Sequence, residues 1–465
     1  MNATPEPLAR QIAARVVAME YSDLPDEAIH WAKVGVLDWV GVTLAGHAEP
    51  CARLAARVSA APGPALVFGQ NRRVAALDAA MINGTASHAL DFDDCSDTMG
   101  GHPTAPILPA LFALADQFDA CGRPVSGQDF LNAYVAGFEV ETRLGRAVNF
   151  HHYEKGWHPT ATLGVFGAAA ACARLMRLDI DQTTVALSVA ASFASGIKAN
   201  FGTMTKPLHV GHCARNGLYA ALLASEGFTA SDTVFEHRQG FFHVYNGEGH
   251  FDASRVLAEW AAPLDILKPG IAIKQYPCCA STHPAIDVAI DLATTHHLLP
   301  EMISSVDCWT HPRRLNHTNR PDPRSALDAK FSVQYVVARA LQNRRVVFQD
   351  FDGAAHNDPD IRALMSRIHA APHPEMQMAS TEHFGSELRI HLKDGRTLTD
   401  TTDRPLGRGP TKPLPQPRLE GKFLDCATQA IDEASARRTL ETIWNFDTLN
   451  DLASLGRILA AGTNI

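Results

Sequence analysis

The chain has 465 residues, of which 46% are hydrophobic and 20% are charged, and its formal net charge is −9. This composition is typical of a globular protein, and the length suggests two or three domains. The acidic balance and the absence of a Lys/Arg run argue against nucleic acid as a partner.

The N-terminal segment, one uncharged stretch and the cysteines indicate the cellular location that we expect. The N-terminal segment MNATPEPLARQIAARV lacks the apolar stretch of a secretory signal. The long uncharged stretch 156–173 contains His158 and Pro159 and is too short for a membrane span. Nine cysteines without C-x-x-C spacing indicate reduced thiols, neither a disulfide framework nor a zinc site. We therefore expect a cytoplasmic protein without a membrane segment.

Residues 1–265 are predicted to be predominantly helical. The segment AIHWAKVGVLDWVGVTLA, residues 28–45, is apolar on most sides and predicts a deeply buried helix. Because Pro106 and Pro109 limit where a helix can begin, we expect the helix after His102 to start or bend near Pro109. Alanine-rich helices are predicted at 108–118, 128–148, 161–175 and 183–197.

The pattern changes after about residue 265. Residues 304–310 are strand-like, and residues 386–399 alternate around Asp394-Gly395 as a hairpin does. Helices are predicted near 284–297, 329–342 and 425–465, and the proline-rich segment 404–418 is predicted to be a linker. We predict a mainly α fold, in which a large all-α helical domain is built from both chain ends and a smaller α+β lid domain is inserted. The boundaries are 1–268 with 405–465 for the helical domain, and 269–404 for the lid.

One segment, NGTASHALDFDDCSDTMGGHPTAPILPAL at 83–111, has the ingredients of an active-site loop. Three carboxylates, those of Asp91, Asp93 and Asp94, occupy four positions, and a Gly-Gly turn leads to His102. A structural loop seldom needs acids, a flexible turn and a histidine together. The segment therefore predicts acid–base chemistry.

Cationic and aromatic residues stand before prolines elsewhere in the chain. Tyr153 and His158 lie in HHYEKGWHPT, Lys206 lies in GTMTKPLH, and Lys274 lies in IKQYPCC. Backbone amides, hydroxyls and an ammonium group in such loops suit a carboxylate ligand.

The familiar motifs for metal sites, nucleotide sites and catalytic nucleophiles are incomplete or absent in this sequence. Residues 93–97 match D-D-x-x-D, but Ile458 stands where the partner motif of isoprenoid synthases needs a carboxylate. His209 and His212 lack a third zinc ligand. The S-x-x-K match at Ser195 lacks the companion motifs of β-lactamases, and the chain has no G-x-S-x-G, Walker or G-x-G-x-x-G sequence. We expect neither a metal nor an organic cofactor.

The chain resembles the MmgE/PrpD family over nearly its whole length. The segments that carry the resemblance are HALDFDDCSDTMGGHPTAPILPAL, GWHPTATLGVFGAAAA, GTMTKPLHVG, IKQYPCCASTHPAID and KFSVQYVVARAL. The resemblance implies a large all-α domain with an α+β lid, a homodimer, and chemistry on small di- or tricarboxylates without a cofactor. The shared step it implies is the movement of a proton at a carbon next to a carboxylate.

Site residues follow from these motifs. Lys206 and Lys274 are expected to anchor carboxylates or act as bases, and His102 and His158 to form the acid–base pair. The predicted catalytic residues are His102, His158, Lys206, Lys274, Tyr153, Asp91 and Asp94. The predicted substrate-binding residues are Thr104, Thr203, His209, His283 and Tyr335.

The functional prediction is a cofactor-independent lyase, a dehydratase or decarboxylase of a small polycarboxylate. One alternative is an epimerase or isomerase of a small dicarboxylate such as iminodisuccinate. The other is a catalytically silent binding subunit.

Overall fold

The chain divides into two compact units. The structure, a computed structural model, describes residues 6–376 and 385–462. The larger unit comprises Met1–Ile273 with Pro415–Ile465, and the smaller one comprises Lys274–Leu414. The outermost parts of the predicted helical domain, 1–5 and 463–465, and the segment 377–384 of the predicted lid lie outside the described residues. The domain boundaries after residues 268 and 404 stay a prediction.

The first segment of the larger unit is helical apart from one short hairpin. Strands β1 (Ala65–Val67) and β2 (Arg72–Val74) pair antiparallel, with Leu66 opposite Arg73. The helices are α1 (Leu8–Ala18), α2 (Asp26–Gly46), α3 (Pro50–Val58), α4 (Ala76–His88), α5 (Thr104–Ala120), α6 (Gly127–Val148), α7 (His151–Lys155), α8 (Pro159–Thr162), α9 (Gly164–Met176), α10 (Ile180–Phe193), α11 (Thr205–Ser225), α12 (Phe241–Asn246) and α13 (Ser254–Leu257).

Several helix predictions are confirmed here and others are wrong at their ends. The predicted helices at 28–45 and 128–148 are α2 and α6. Helix α5 begins at Thr104, before the predicted start, because Pro106 falls in the first turn, where no backbone N–H is needed. The predicted helix 183–197 ends at Phe193, since Ala194 is extended and Gly196 has a φ of 124°.

The smaller unit is built on a four-stranded mixed sheet. Its strands are β3 (Ile303–Thr310), β4 (Ile368–Pro372), β5 (Ser386–Leu392) and β6 (Thr397–Thr402), in the order β4-β3-β5-β6. Only the β3–β4 pair is parallel. Its helices are α14 (His283–Thr295), α15 (Pro312–Thr318), α16 (Ala326–Ala329), α17 (Val333–Asn343) and α18 (Pro359–Met365). The predicted hairpin at Asp394-Gly395 is confirmed, and one hydrophobic cluster joins sheet and helices.

The chain returns to the larger unit with α19 (Gln416–Ala427), α20 (Glu433–Trp444) and α21 (Ala453–Ala461). Helix α19 packs on the buried helix α2, where Lys422 Nζ lies 2.5 Å from Asp38 Oδ1. Two terminal segments therefore share one helical core, and the mainly α fold with a smaller mixed-sheet unit is confirmed. None of the described helices has both the length and the apolar character needed to cross a bilayer.

Helices α4 and α11 approach each other at two glycines. A Cβ atom on Gly84 would lie 2.8 Å from the Cα of Gly211, closer than real Cβ contacts come. His88 ends α4 and Lys206 lies in the first turn of α11, each about one helical turn from this contact. The close approach therefore sets the distance between two residues of the predicted chemistry.

We predict that Gly84→Ala lowers the free energy of unfolding of the helical unit by about 1–3 kcal/mol, because the methyl group overpacks a backbone–backbone contact. The control is Gly421→Ala in α19, where a Cβ would meet no described atom within 4 Å apart from its own helix backbone and chain neighbours. Replacing a helical glycine there should stabilise by about 0.5–1 kcal/mol. Urea denaturation of both variants measures the difference, and equal stabilities would contradict the role of the glycine contact.

Candidate active site

The acidic segment begins where α4 ends. His88 is the last residue of the helix, and the chain then turns through Asp91, whose φ of 55° is left-handed. Aspartate tolerates this conformation better than most non-glycine residues, yet it carries a cost that often marks functional sites. The turn places Asp91, Asp93 and Asp94 in three separate environments, all of them buried.

Asp93 lies between two imidazoles. His88 Nδ1 donates to Asp93 Oδ2 at 2.8 Å, and His102 Nδ1 lies 3.1 Å from the same oxygen. Burial alone would raise the pKa of Asp93, but the two imidazoles hold that pKa well below its usual value. Burial also lowers the pKa of His88 to about 4. Asp93 is therefore an ionised acceptor, and His88 is a neutral donor.

Asp91 connects the acidic segment to α11. Lys206 Nζ donates to Asp91 Oδ1 at 2.7 Å, and His102 Nε2 lies 3.7 Å from that oxygen. The side chains of Lys206 and His102 keep 9% and 12% exposure, whereas His88 has none. The ammonium and the imidazole are thus two partly exposed donor groups in this cluster.

A second histidine pair adjoins the first. His158 caps the start of α8, and its Nδ1 lies 3.2 Å from His209 Nδ1 on α11. The His158 and His88 ring centroids are 5.7 Å apart. Burial lowers the pKa of His158 well below its usual value and also lowers the pKa of His209. Both imidazoles are neutral near pH 7, and one must donate to the other.

Asp94 faces away from this charged cluster, toward α5 and α6. Thr104 donates its hydroxyl hydrogen to Asp94 Oδ2, so Tyr134 donates to the Thr104 hydroxyl oxygen. Burial raises the pKa of Asp94 to about 8. Asp94 is therefore a neutral acid that fixes the start of α5, two residues after His102.

The Gly-Gly turn brings His102 into place by close backbone contact. Gly100 has a φ of 66°, and a Cβ on Gly101 would lie 2.8 Å from the backbone nitrogen of Thr160. The His102 amide donates to Thr160 Oγ1 at 3.1 Å. Glycine is needed at both positions, because a side chain would push the imidazole away from its partners.

Four of these residues have a spacing that a metal ion could use. One ligand atom each of His88, Asp91, Asp93 and His102 lies within 4.8 Å of the others. Two contacts compete with a cation there. The Lys206 ammonium already holds Asp91 Oδ1, and Asp93 already accepts from His88 and His102. The arrangement suits protons better than a divalent ion.

Comparison with known proteins identifies the fold family. The profile described as MmgE/PrpD N-terminal domain matches residues 10–254, and the one described as MmgE/PrpD C-terminal domain matches residues 276–448. The chain belongs to the MmgE/PrpD family. The second match extends beyond the smaller unit into α19 and α20.

Curated relatives of this MmgE/PrpD chain carry the names of lyases. It is 30% identical to cis-aconitate decarboxylase from Homo sapiens, over 97% of this chain and 94% of the relative. It is 26% identical to cis-aconitate decarboxylase from Aspergillus terreus, over 94% and 92%. It is 24% identical to 2-methylcitrate dehydratase from Cupriavidus necator, over 83% of each chain. The predicted family is confirmed, and the predicted lyase class agrees with these relatives.

The structure brings together many of the residues predicted from the MmgE/PrpD motifs. Asp91, His102, His158, Lys206 and His209 form one cluster in the larger unit. Asp94 and Thr104 lie directly behind it and bond to each other.

Other predicted residues of the larger unit have contacts of a different kind. The Thr203 hydroxyl donates to the Asn200 carbonyl at the approach to α11. Tyr153 lies on α7, where the Lys198 ammonium is 3.4 Å from its ring centroid. Their roles stay predictions.

Three predicted residues belong to the smaller unit. Lys274 is its first residue. His283 begins α14, with Nε2 3.2 Å from the Cys278 carbonyl oxygen. Tyr335 is buried, and its hydroxyl donates to the Asp350 carbonyl. Their roles also stay predictions.

Two members of the cluster, His88 and Asp93, had no predicted catalytic or binding role. Both stand in the segment HALDFDD, but the sequence did not predict that α4 ends at His88. The sequence signal that could have identified both residues is a helix that ends at a histidine and is followed within a few residues by carboxylates.

Because the pKa of Asp94 is raised in the folded protein, the free energy of unfolding depends on pH. Its folded pKa of about 8 lies above the usual value of 3.8, so the folded state holds this proton more tightly, and stability is lost as pH rises between these values. We predict that Asp94→Asn, which cannot ionise, gains stability relative to wild type across that window, by up to about 1.4 kcal/mol per pH unit. Urea denaturation midpoints at several pH values measure the gain.

Asp119→Asn, at an exposed aspartate of α5, is the control for the loss of one carboxyl group. A difference between Asp94→Asn and wild type that stays constant with pH would show that Asp94 is ionised in the folded protein.

Proposed function

We propose that this protein is a cofactor-independent lyase that decarboxylates cis-aconitate or a closely similar small tricarboxylate. The observation that carries the proposal is the contact of Asp91 with both Lys206 and His102, next to His158. Decarboxylation is preferred to dehydration because the cis-aconitate decarboxylases match nearly the whole chain, whereas the dehydratases match less of it at lower identity.

Hydrogen-bond donors at this cluster suit a substrate that carries carboxylates. The Lys206 ammonium has three N–H donors and gives one to Asp91, so it can share the others with a substrate carboxylate. Lys206 is the second residue of α11, and His102 stands just before α5. The N-termini of both helices add partial positive charge where a carboxylate would bind.

The two histidines of the proposed acid–base pair differ in charge preference. His102 lies between the carboxylates of Asp91 and Asp93, which favour its protonated form. His158 stays neutral because burial, together with the neighbouring imidazoles and Lys206, lowers its pKa. We therefore assign proton donation to His102 and the neutral, accepting role to His158.

The group that a decarboxylation most needs from the protein is a proton donor, because the carbon that loses carbon dioxide must be protonated. The C–C bond to one carboxylate breaks, carbon dioxide leaves, and the electron pair stays on the unsaturated carbon skeleton. The remaining carboxylates and the Lys206 ammonium stabilise this anion until His102 delivers a proton to carbon. In a dehydration, His158 would first remove a proton α to a carboxylate, and His102 would protonate the departing hydroxide.

Other parts of the proposal rest on the family resemblance. Lys274 is proposed as a second carboxylate anchor, and Tyr153, His283 and Tyr335 as residues near the substrate. A homodimer is also proposed from the resemblance, whereas the cytoplasmic location is proposed from the cysteine pattern.

Incubation with cis-aconitate in D₂O, in buffer that contains EDTA, tests the reaction. We predict loss of carbon dioxide and a product with one deuterium on carbon, because the His102 proton exchanges with solvent; NMR measures both. Chelation should leave the rate unchanged, since Lys206 and the imidazoles occupy the carboxylates. The same assay with 2-methylcitrate would reveal a dehydratase instead.

With a small dicarboxylate such as iminodisuccinate in the same assay, deuterium in an otherwise unchanged skeleton would indicate the epimerase. No change with any of these acids would indicate the silent subunit. Either result would overturn the proposed decarboxylation.

Replacing the ammonium tests the anionic site. We predict that Lys206→Met lowers kcat/KM for cis-aconitate by about 10²–10³, because a preorganised cation opposite developing negative charge is lost. Lys155→Met, at an exposed lysine of α7, is the control and should keep wild-type activity. A Lys206→Met variant that folds and retains full activity would remove the electrostatic basis of the proposal.

A further inference from the structure

The Asp93 carboxylate contacts two imidazoles, those of His88 and His102, and the two rings are not equivalent. Both reach Asp93 through Nδ1, and their ring centroids lie 4.5 Å apart. The His88 side chain is fully buried, whereas His102 keeps 12% exposure. His102 also faces Asp91, with its Nε2 3.7 Å from Asp91 Oδ1.

The protons of this arrangement can be assigned from its geometry. An ionised carboxylate only accepts hydrogen bonds, so each Nδ1 that contacts Asp93 carries a hydrogen. In the neutral form of either ring, Nε2 then has none. His88 Nε2 has no hydrogen-bond partner among the described residues. His102 Nε2 is the nitrogen that faces Asp91, whose Oδ1 also accepts from the ammonium of Lys206.

We infer that Asp93 and His88 are positioning residues, which hold His102 with Nδ1–H toward Asp93 and leave Nε2 as the atom that exchanges a proton with the substrate. The inference rests on the proposed function, in which His102 is the proton donor. It deepens that function by naming the residues that set the orientation of His102 and the location of the exchanged proton.

His88 matters because it cannot take the proton itself. A second hydrogen, on its buried Nε2, would be a donor without an acceptor among the described residues, which is costly in a protein interior. His88 therefore donates one hydrogen bond to Asp93 and stays neutral. The negative charge of Asp93 can then stabilise the protonated form of His102. The titratable groups that face or lie near His102 are Asp91, Asp93, Asp94, His88, Cys95, His158 and Lys206.

Three variants separate positioning from simple structural support. Asp93→Asn keeps the shape but lets the neighbouring ring reverse its tautomer. His88→Asn retains an N–H donor near the position of Nδ1, whereas His88→Leu removes it. For Asp93→Asn we expect kcat for cis-aconitate to fall by about 10²–10⁴. For His88→Leu we expect a fall of about 10–100-fold, as for other supporting residues, with recovery to within about threefold in His88→Asn.

Separate measurement of kcat and KM distinguishes a positioning role from simple structural support. KM should change little in these variants, because neither residue is placed to touch the substrate. Circular dichroism and urea denaturation establish that each variant is folded. A folded His88→Leu protein with wild-type kcat would overturn the inference, and so would a His88→Asn protein as impaired as His88→Leu.

A spectroscopic measurement tests the inference without any substrate. In ¹⁵N-histidine-labelled protein, with His102→Asn used for assignment, the neutral His102 ring should carry its hydrogen on Nδ1, and Asp93→Asn should change that pattern. A wild-type His102 with hydrogen on Nε2 alone would overturn the inference. If cis-aconitate is not turned over, the proposed function fails, while these ¹⁵N signals still decide the orientation of His102.

Discussion

The close contact of α4 and α11 at Gly84 and Gly211 is the constraint on which the candidate site depends. Without side chains at the crossing, the end of one helix and the start of the other come near enough for Lys206 to reach Asp91. That ion pair joins residues 115 positions apart in sequence. The catalytic proposal is thus supported by backbone packing as well as by charged side chains.

Three aspartates in one short segment have three different electrostatic states. Asp91 is paired with an ammonium, Asp93 is shared by two imidazoles, and Asp94 is a neutral acid bonded to a hydroxyl. Their intrinsic acidities are the same, so burial and partners alone create the difference. One segment thereby supplies charge for Lys206, orientation for His102 and a rigid start for α5.

The sequence predicted the broad architecture because hydrophobic periodicity and turn residues report directly on local structure. It also pointed to Lys206, His102 and His158, which stand beside prolines or glycines that mark element boundaries. It assigned no role to His88 or Asp93, whose environment arises from contacts between segments. Identical aspartates cannot be sorted by sequence into paired, shared and neutral groups, since desolvation depends on the folded surroundings.

The left-handed backbone at Asp91 affects how mutations there are to be interpreted. An alanine at this position loses the carboxylate and also incurs the backbone cost of a positive φ, about 1–2 kcal/mol. Asparagine tolerates the same conformation, so it isolates the effect of charge on Lys206. A comparison of the two replacements would separate conformational from electrostatic contributions at a single position.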